Sequence, residues 1–597
     1  MAWYDEAVFY HIYPLGLLGA EKQNTYGEVN HRLRELDPWI THIKNAGFNA
    51  IYIGPLFESV GHGYETTDYK KLDSRLGDNK DLKDFVSKCH KNGIRVIFDG
   101  VFNHTGRDFF AFQDIKANRE NSRYRDWYCN VNFWGNNEYN DGFSYDNWGG
   151  YNLLVKLNQR NGEVRDYIAD VIRFWVKEFD VDGIRLDAAD VLDFDFMKML
   201  RWVASEVKPD FWLMGEVIHG EYSRWVNEGT LHSVTNYHLH KALYSGHNEH
   251  NYFEIAHTVK RLYGMAGNDP NRLKLYNFSD NHDVERIYTK LNNKAHYAPV
   301  HILTYTLPGI PSMYYGSEFG IEGRKERGSD DSLRPALNIK DFKDSVKNNP
   351  MTALISKLGF IKQNVHILNY GDYREAMLTN RQYAYVRGLD GQCVVVAVNN
   401  DDNDADINVN GIPDGEYVGA ISGNRVQVGY GHLGYRLGGN SGEIWIPAHI
   451  WDNLDKNVKT KAIPKTKAVK APAPAPAPTP APAPTPAPVP APAPAKPAPE
   501  EKAPAPEAPA RVETPAKAPA KASAPVESPY GLGEKYIGID PEVIRNRSDY
   551  DAMSIEELQI AILEKMAKNG PVNDQMIKTV VENVYPDSLK NWVKSFR

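Results

Sequence analysis

Asp182-Gly-Ile-Arg-Leu-Asp187 is a short apolar strand framed by charge, and its reading decides the fold. Alternate side chains of an extended chain share a face, so Arg185 and Asp187 point the same way and the guanidinium can hold the carboxylate ionised. Three further blocks close apolar runs in the same manner: Asp99-Gly-Val-Phe-Asn-His104, Gly215-Glu-Val217 and Phe278-Ser-Asp-Asn-His-Asp283. Parallel strands closed into a barrel bring their C-terminal ends to one mouth, where residues remote in sequence face a single ligand.

Working outward, apolar runs at 8–14, 49–54, 95–100, 183–187, 212–216, 233–237, 274–279 and 311–316 alternate with amphipathic helical stretches such as 166–179. Eight strands in βα alternation predict a (β/α)8 TIM barrel, an α/β fold. About 60 residues separate the third strand from the next helix, far more than such a loop needs. An inserted subdomain over 103–161 accounts for them; its aromatics (Trp127, Trp134, Tyr139, Tyr145, Trp148, Tyr151) suit either a wall of a sugar cleft or the subdomain's own small core. The catalytic barrel with its insertion is expected over 1–368.

Strand-like alternation at 383–387, 392–399, 406–410, 416–420 and 442–447 predicts a C-terminal antiparallel β domain, sandwich-like, over 369–451. The segment 461–528 is dominated by Ala and Pro, lacks the N–H donors for helix or sheet, and reads as a disordered polyproline II spacer, about 200 Å long if fully extended. A small helical module follows over 530–597, opened by a Ser554-Ile-Glu-Glu557 capping box.

A net charge of −8 offers no basic field for nucleic acid or an anionic membrane, so neither is expected as a partner. Three cysteines, Cys89, Cys129 and Cys393, match no metal-binding spacing and suit a reducing, cytoplasmic setting. The first residues carry acids and enter a strand directly, which is not the pattern of a signal peptide.

Breaking a glycosidic bond needs one carboxylic acid to protonate the leaving oxygen and a carboxylate to attack or stabilise the oxocarbenium-like centre. Asp187, beside Arg185, suits the ionised role. Glu216, after Leu213-Met214-Gly215, suits a desolvated carboxyl that keeps its proton. Asp283 supplies a third acid, and His104 and His282 supply N–H donors. Each block alone has an ordinary structural reading, an ion pair on a strand or a turn with a capping Asp. Their occurrence in order, at successive strand ends, is what points to one site.

With those blocks in hand, residues 1 to about 450 resemble the α-amylase family, family 13 of the glycoside hydrolases. The resemblance implies Asp187 as nucleophile, Glu216 as acid/base and Asp283 as transition-state stabiliser. It places Arg185, His104 and His282 around the sugar next to the cleaved bond and Asp99 beneath it. His62-Gly-Tyr64 resembles the stretch whose Tyr stacks on that sugar, with Asp68 orienting it or a loop. Val155-Lys-Leu-Asn158, Ser233-Val-Thr-Asn-Tyr237 and Tyr314-Tyr-Gly-Ser-Glu318 are similar to segments of the neopullulanase, cyclomaltodextrinase and maltogenic amylase group.

Departures from that group accompany the match. Its N-terminal β-sandwich is not expected here, because strand one opens by Val8, and the calcium loop after strand one is replaced by Leu15-Gly-Leu-Leu-Gly-Ala20. Asn103 matches a calcium-ligand position, yet no metal or other cofactor is expected to be required, calcium being the alternative. Ala188, Asp190 and Val191 leave linkage preference open. The expected activity is retaining hydrolysis of α-1,4 bonds, with α-1,6 bonds a second option, in maltodextrins or cyclodextrins. The alternatives are an α-glucan transglycosylase and a carbohydrate-binding or anchoring protein. Residues 530–597 are expected to bind a protein partner or to self-associate.

Overall fold

The computed structural model describes residues 2–454 apart from Pro270, together with Ile463 and parts of 536–593. The chain falls into two compact units, 1–477 and 478–597. In the first, eight parallel strands run β1 (Phe9–Ile12), β2 (Ala50–Ile53), β3 (Arg95–Gly100), β4 (Gly183–Leu186), β5 (Trp212–Gly215), β6 (Ser233–Val234), β7 (Tyr276–Phe278) and β8 (Ile310–Tyr314). Their order is β6-β5-β4-β3-β2-β1-β8-β7, and a parallel bridge between Thr235 and Tyr276 joins the two ends of the sheet into a barrel.

Period-two alternation sorts each strand's side chains. Phe9, Ala50, Tyr52, Ile97, Trp212, Met214, Tyr276 and Phe278 fill the barrel interior, while Tyr10, Ile51, Val96, Phe98 and Ile184 pack outward against the helices. Those helices include α1 (Asp37–Asn45), α2 (Asn79–Lys91), α3 (Gly162–Phe179), α4 (Phe194–Val207), α5 (Tyr237–Asn248), α6 (Tyr252–Met265), α7 (Tyr297–Thr306) and α8 (Pro350–Asn364). Helix α3 starts earlier than its apolar spacing predicts, because the Asn161 side chain accepts the N–H groups of Glu163 and Val164 and so caps the first turn. Position 237 is likewise helical rather than strand, capped by Asn236.

Between β3 and α3 the chain builds a small subdomain. Its three-stranded sheet takes the order His104–Gly106, Tyr151–Lys156, Asn147–Trp148 and packs with helix Phe110–Asn118. Its aromatics divide: Trp127, Tyr128, Phe143 and Tyr145 are buried in the subdomain's core, whereas Trp134, Tyr139, Trp148 and Tyr151 are exposed. A hairpin of Phe57–Ser59 with Thr66–Leu72 follows β2 and was not signalled by alternation, since its second strand is buried at every third residue.

The C-terminal β domain has eight strands: β9 (Asp372–Leu378), β10 (Gln382–Leu389), β11 (Gln392–Asn399), β12 (Ala405–Asn410), β13 (Gly415–Gly419), β14 (Arg425–Val428), β15 (His432–Leu437) and β16 (Ser441–Pro447). Six form one antiparallel sheet, β9-β10-β11-β16-β13-β14, and β12 pairs with β15. Strand β11 is apolar on both faces: Val395 and Ala397 face the domain's own core around Trp445, while Val394, Val396 and Val398 join the barrel's outer core.

The Pro/Ala segment expected over 461–528 lies outside the described residues apart from Ile463. In the second unit α9 (Ile555–Asn569) buries Leu558, Ala561 and Ile562, and Ser554 and Glu557 exchange the two hydrogen bonds of the capping box. The helical stretches read at 572–584 and 588–596 fall largely outside the described residues. No helix among the described residues is long and apolar enough to cross a membrane.

Candidate active site

The strand ends meet as the alternation predicts. Asp99 on β3 stands in register with Arg185 on β4, and Arg185 with Met214 on β5. The buried Arg185 guanidinium is the hub: Nη1 contacts Asp99 Oδ1 at 2.9 Å and Asp187 Oδ1 at 2.9 Å, and Nη2 contacts Glu216 Oε2 at 2.8 Å. Tyr52 (2.8 Å) and Tyr64 (3.2 Å) also donate to Asp99 Oδ2. Gly54 permits this approach, since a Cβ there would stand 2.3 Å from the Asp99 Cβ.

Asp187 and Glu216 are therefore not separated by Arg185, contrary to the expectation that the guanidinium singles out Asp187. Burial lifts Asp187 well above the usual carboxylate range against the pull of Arg185, and Glu216 adds to the rise. Burial likewise raises Glu216, with Arg185 opposing, and Asp99. Three acids around one guanidinium in a dry site hold fewer than three charges, so the cluster retains protons that isolated carboxyls lose. What distinguishes Glu216 is its second oxygen: Oε2 accepts the Ala188 N–H at 3.2 Å and Oε1 accepts from Tyr237 Oη at 3.2 Å. Ala188 takes a left-handed conformation (φ 46°, ψ 44°) to aim that N–H, at a cost of about 1–2 kcal/mol for a non-glycine.

Asp283 lies on the opposite rim. Its Oδ1 pairs with Arg334 Nη2 at 2.9 Å and its Oδ2 lies 3.0 Å from His282 Nε2, while its N–H donates to Asn281 Oδ1. Arg334 Nε also donates to the His282 carbonyl (3.0 Å), and its guanidinium lies over the Tyr13 ring. Tyr64 hydrogen-bonds His282 Nε2 and stacks on its ring at 14°. Burial, helped by Arg334 and Arg185, pushes His282 well below the usual imidazole range, so it is neutral. Burial takes His104 down to about 3.

His104 Nε2 and His282 Nδ1 are both buried without a partner. His104 Nδ1 accepts from the Asn103 amide at 3.2 Å, so the free Nε2 carries the hydrogen. Two orphaned ring nitrogens in a buried site want partners that a ligand's hydroxyl groups can supply.

Among the residues expected at the site, Asp99, Arg185, Asp187, Glu216, Tyr64, His104, His282 and Asp283 converge in this way. His62 sits at the exposed rim, tied to Glu65 Oε1 at 3.1 Å. Asp68 does not take part: it is exposed on the hairpin and accepts the Lys70 N–H, while the buried Glu65 holds the loop through the Gly63 N–H. Tyr52, Tyr237 and Arg334 carried no signal of this role in the sequence.

Asn103 does not present a free metal donor, since its Oδ1 accepts from Gln159 (3.3 Å) and its amide nitrogen bonds His104. His31, Asp78 and Asp81 lie close enough together to share an ion, yet the Asp81 carboxylate there is taken by His31 and by Arg34 Nε at 2.6 Å. Neither site touches the acid cluster.

Residues 33–384 match the family model for the alpha amylase catalytic domain. A cyclomaltodextrinase of Thermoanaerobacter pseudethanolicus is 32% identical over 421 residues, 67% of this chain and 71% of that protein. An intracellular maltogenic amylase of Bacillus subtilis is 31% identical over 291 residues, 48% of each chain. A solved cyclomaltodextrinase superposes with a TM-score of 0.65 at 25% identity, covering 74% of this chain and 78% of the other.

Proposed function

Because the chain belongs to the α-amylase family, we propose that Asp187, Glu216 and Asp283 divide between them the cleavage of an α-glucosidic bond with retention. The protein is a glycoside hydrolase acting on glucans of the maltodextrin or cyclodextrin type, with α-1,4 bonds the first expectation and α-1,6 bonds the second option. The observation that carries the division of labour is that, of the two acids on the Arg185 guanidinium, Glu216 is also held by the Ala188 N–H and by Tyr237 Oη. Retention is the outcome that family membership supports, with the two carboxylates meeting on one side chain.

In this scheme the Asp187 carboxylate attacks the anomeric carbon as Glu216 gives its proton to the departing glycosidic oxygen. Glu216 then takes a proton from water, whose oxygen displaces Asp187 from the covalent glucosyl intermediate. Asp283, oriented by Arg334, stabilises positive charge as it builds on the ring. His104 Nε2 and His282 Nδ1 meet hydroxyl groups of the same sugar, and Tyr64 covers its face. The scheme uses no metal ion, since Arg185 supplies the positive charge at the carboxylates.

The named intracellular relative and the three free cysteines support a cytoplasmic setting, where short oligosaccharides are the available substrates. The small helical unit is read as a docking or self-association module; equal sedimentation of the full chain and a chain lacking 478–597, with no partner retained by either, would count against it.

The test of the catalytic reading is product release from maltotriose, β-cyclodextrin, pullulan, panose and soluble starch, beside Asp187→Asn. Turnover of at least one and near-complete loss in the variant are expected. No release from any of them, or an equally active Asn variant, defeats the proposal.

A further inference from the structure

The inserted subdomain carries a second groove, away from the acid cluster and of about 670 Å³, lined by Glu120, Asn130, Asn132, Trp134, Ser144 and Asp146 among others. Trp134 is 98% exposed at its edge. Single exposed aromatics are common on surfaces, but this one is displayed by a tightly built turn. The Trp134 N–H is held by Asn132 Oδ1 at 3.0 Å, and the Gly135 N–H donates to the Asn132 carbonyl at 3.1 Å. Gly135 presses so closely on the neighbouring strand that a Cβ there would stand 2.3 Å from Ser144 Oγ. The adjacent Phe133 is turned inward onto Phe143, with the Arg119 guanidinium over its ring. The turn thus half-buries one aromatic against Phe143 and leaves the next in water.

The rest of the lining selects the ligand's chemistry. Asn130 Nδ2 donates to Asp146 Oδ2 at 2.9 Å, and the exposed Glu120 carboxylate lies 3.9 Å from Arg119 Nε. Amides beside carboxylates whose charge is partly balanced by Arg119 suit a neutral polyol, with donors and acceptors for its hydroxyl groups. A flat indole face beside hydroxyl-seeking groups fits a pyranose, which is apolar on its ring faces and polar around its edge. Two residues beyond Asp146, the Trp148 ring lies 6.0 Å from that of His104.

We propose that this groove is a second α-glucan-binding site, which stacks a glucosyl unit on Trp134 and holds the part of a long chain lying outside the catalytic cleft. The proposal rests on the α-glucan hydrolase reading above for the identity of the sugar. It adds a site whose loss is felt by long substrates and not by short ones.

Full-length wild type, Trp134→Ala, Trp134→Phe and Asp146→Ala decide it, by retardation in native gels containing amylopectin and by kcat/KM on maltotriose and amylopectin. Maltotriose turnover within about twofold of wild type reports that each variant is folded. Trp134→Ala and Asp146→Ala are expected to bind amylopectin about tenfold more weakly and to raise its KM, with Trp134→Phe keeping most of the affinity. Wild type that turns over maltotriose without being retarded, or Trp134→Ala retarded as strongly as wild type, overturns the second site alone. Wild type that cleaves no α-glucan overturns instead the reading on which it rests.

Discussion

Replacing Asp182 by Asn should loosen the barrel and spare kcat, whereas Asp187→Asn, at the other end of the same strand, should abolish turnover and spare the fold. Asp182 is 1% exposed at the bottom of β4. Its Oδ1 accepts from Arg95 Nη1 (2.8 Å) and Lys208 Nζ (3.0 Å), and its Oδ2 from His90 Nε2 (2.7 Å) and the Val96 N–H (2.9 Å). An Asn amide keeps one acceptor oxygen and turns its NH2 toward donors, leaving cationic groups uncompensated in a buried site. Removing one partner from such a cluster costs about 3–5 kcal/mol. Domains of roughly 150–250 residues lose about 2–4 °C per kcal/mol and a unit of this size about 1 °C, so a fall in Tm of about 3–5 °C is expected.

The effect has a pH signature. Burial works against ionised Asp182, yet His90, Lys208 and Arg95 outweigh it and hold its pKa below the ordinary value. Its contribution is therefore present above the unfolded pKa of about 3.9 and is lost as pH falls through the folded value. His90 is raised, because Asp180 and Asp182 outweigh its burial, so its share is full below about 6.5 and fades as pH rises through the folded value. The gap in Tm between wild type and Asp182→Asn should thus be widest between about pH 4 and 6.5. At Asp187 burial disfavours the charge, so Asn there should leave Tm unchanged or slightly higher while kcat falls about 10⁴-fold or more. Thermal scans by tryptophan fluorescence and initial rates on maltotriose measure both. An Asp182→Asn protein that melts with wild type, or one that stays folded but loses more than about tenfold in kcat, refutes the division of the strand into a structural foot and a chemical head.

Arg334→Ala removes the guanidinium from Asp283 Oδ1 and from the His282 carbonyl, so kcat should fall about 10- to 100-fold, with partial recovery in Arg334→Lys, as read from steady-state kinetics. Because burial raises both Asp187 and Glu216, the acid limb of kcat/KM should lie above the ordinary carboxylate value of about 4, with activity lost as pH falls through it. A chain lacking 478–597 should turn over maltotriose at nearly the wild-type rate, and a large loss would show that the second unit contributes to catalysis.

All eight barrel strands were legible because both their faces are buried, which writes apolar runs ending in charge. Strands β9, β14 and β15 were not, since each is largely exposed and reads as polar chain. The same limit applied to Arg334: an Asp-Asp-Ser-Leu-Arg loop looks like solvated charge until folding lays it over Tyr13 and Asp283.

What the amino-acid sequence determined by itself was the set Arg185, Asp187, Glu216, Asp283, His104 and His282. Period-two alternation and the order of strands aim Arg185, Asp187 and Glu216 at one mouth, while His104, His282 and Asp283 follow their strands by a few residues and are legible as strand-end blocks. Tertiary structure alone decided how they share charge. It gave Arg185 three carboxylates rather than one, placed Ala188 to donate to Glu216, and made Asp182 a structural anchor although it opens the same motif as Asp187. Alternation is local and survives in sequence, whereas burial and the distance between charges on different strands exist only once the barrel has closed.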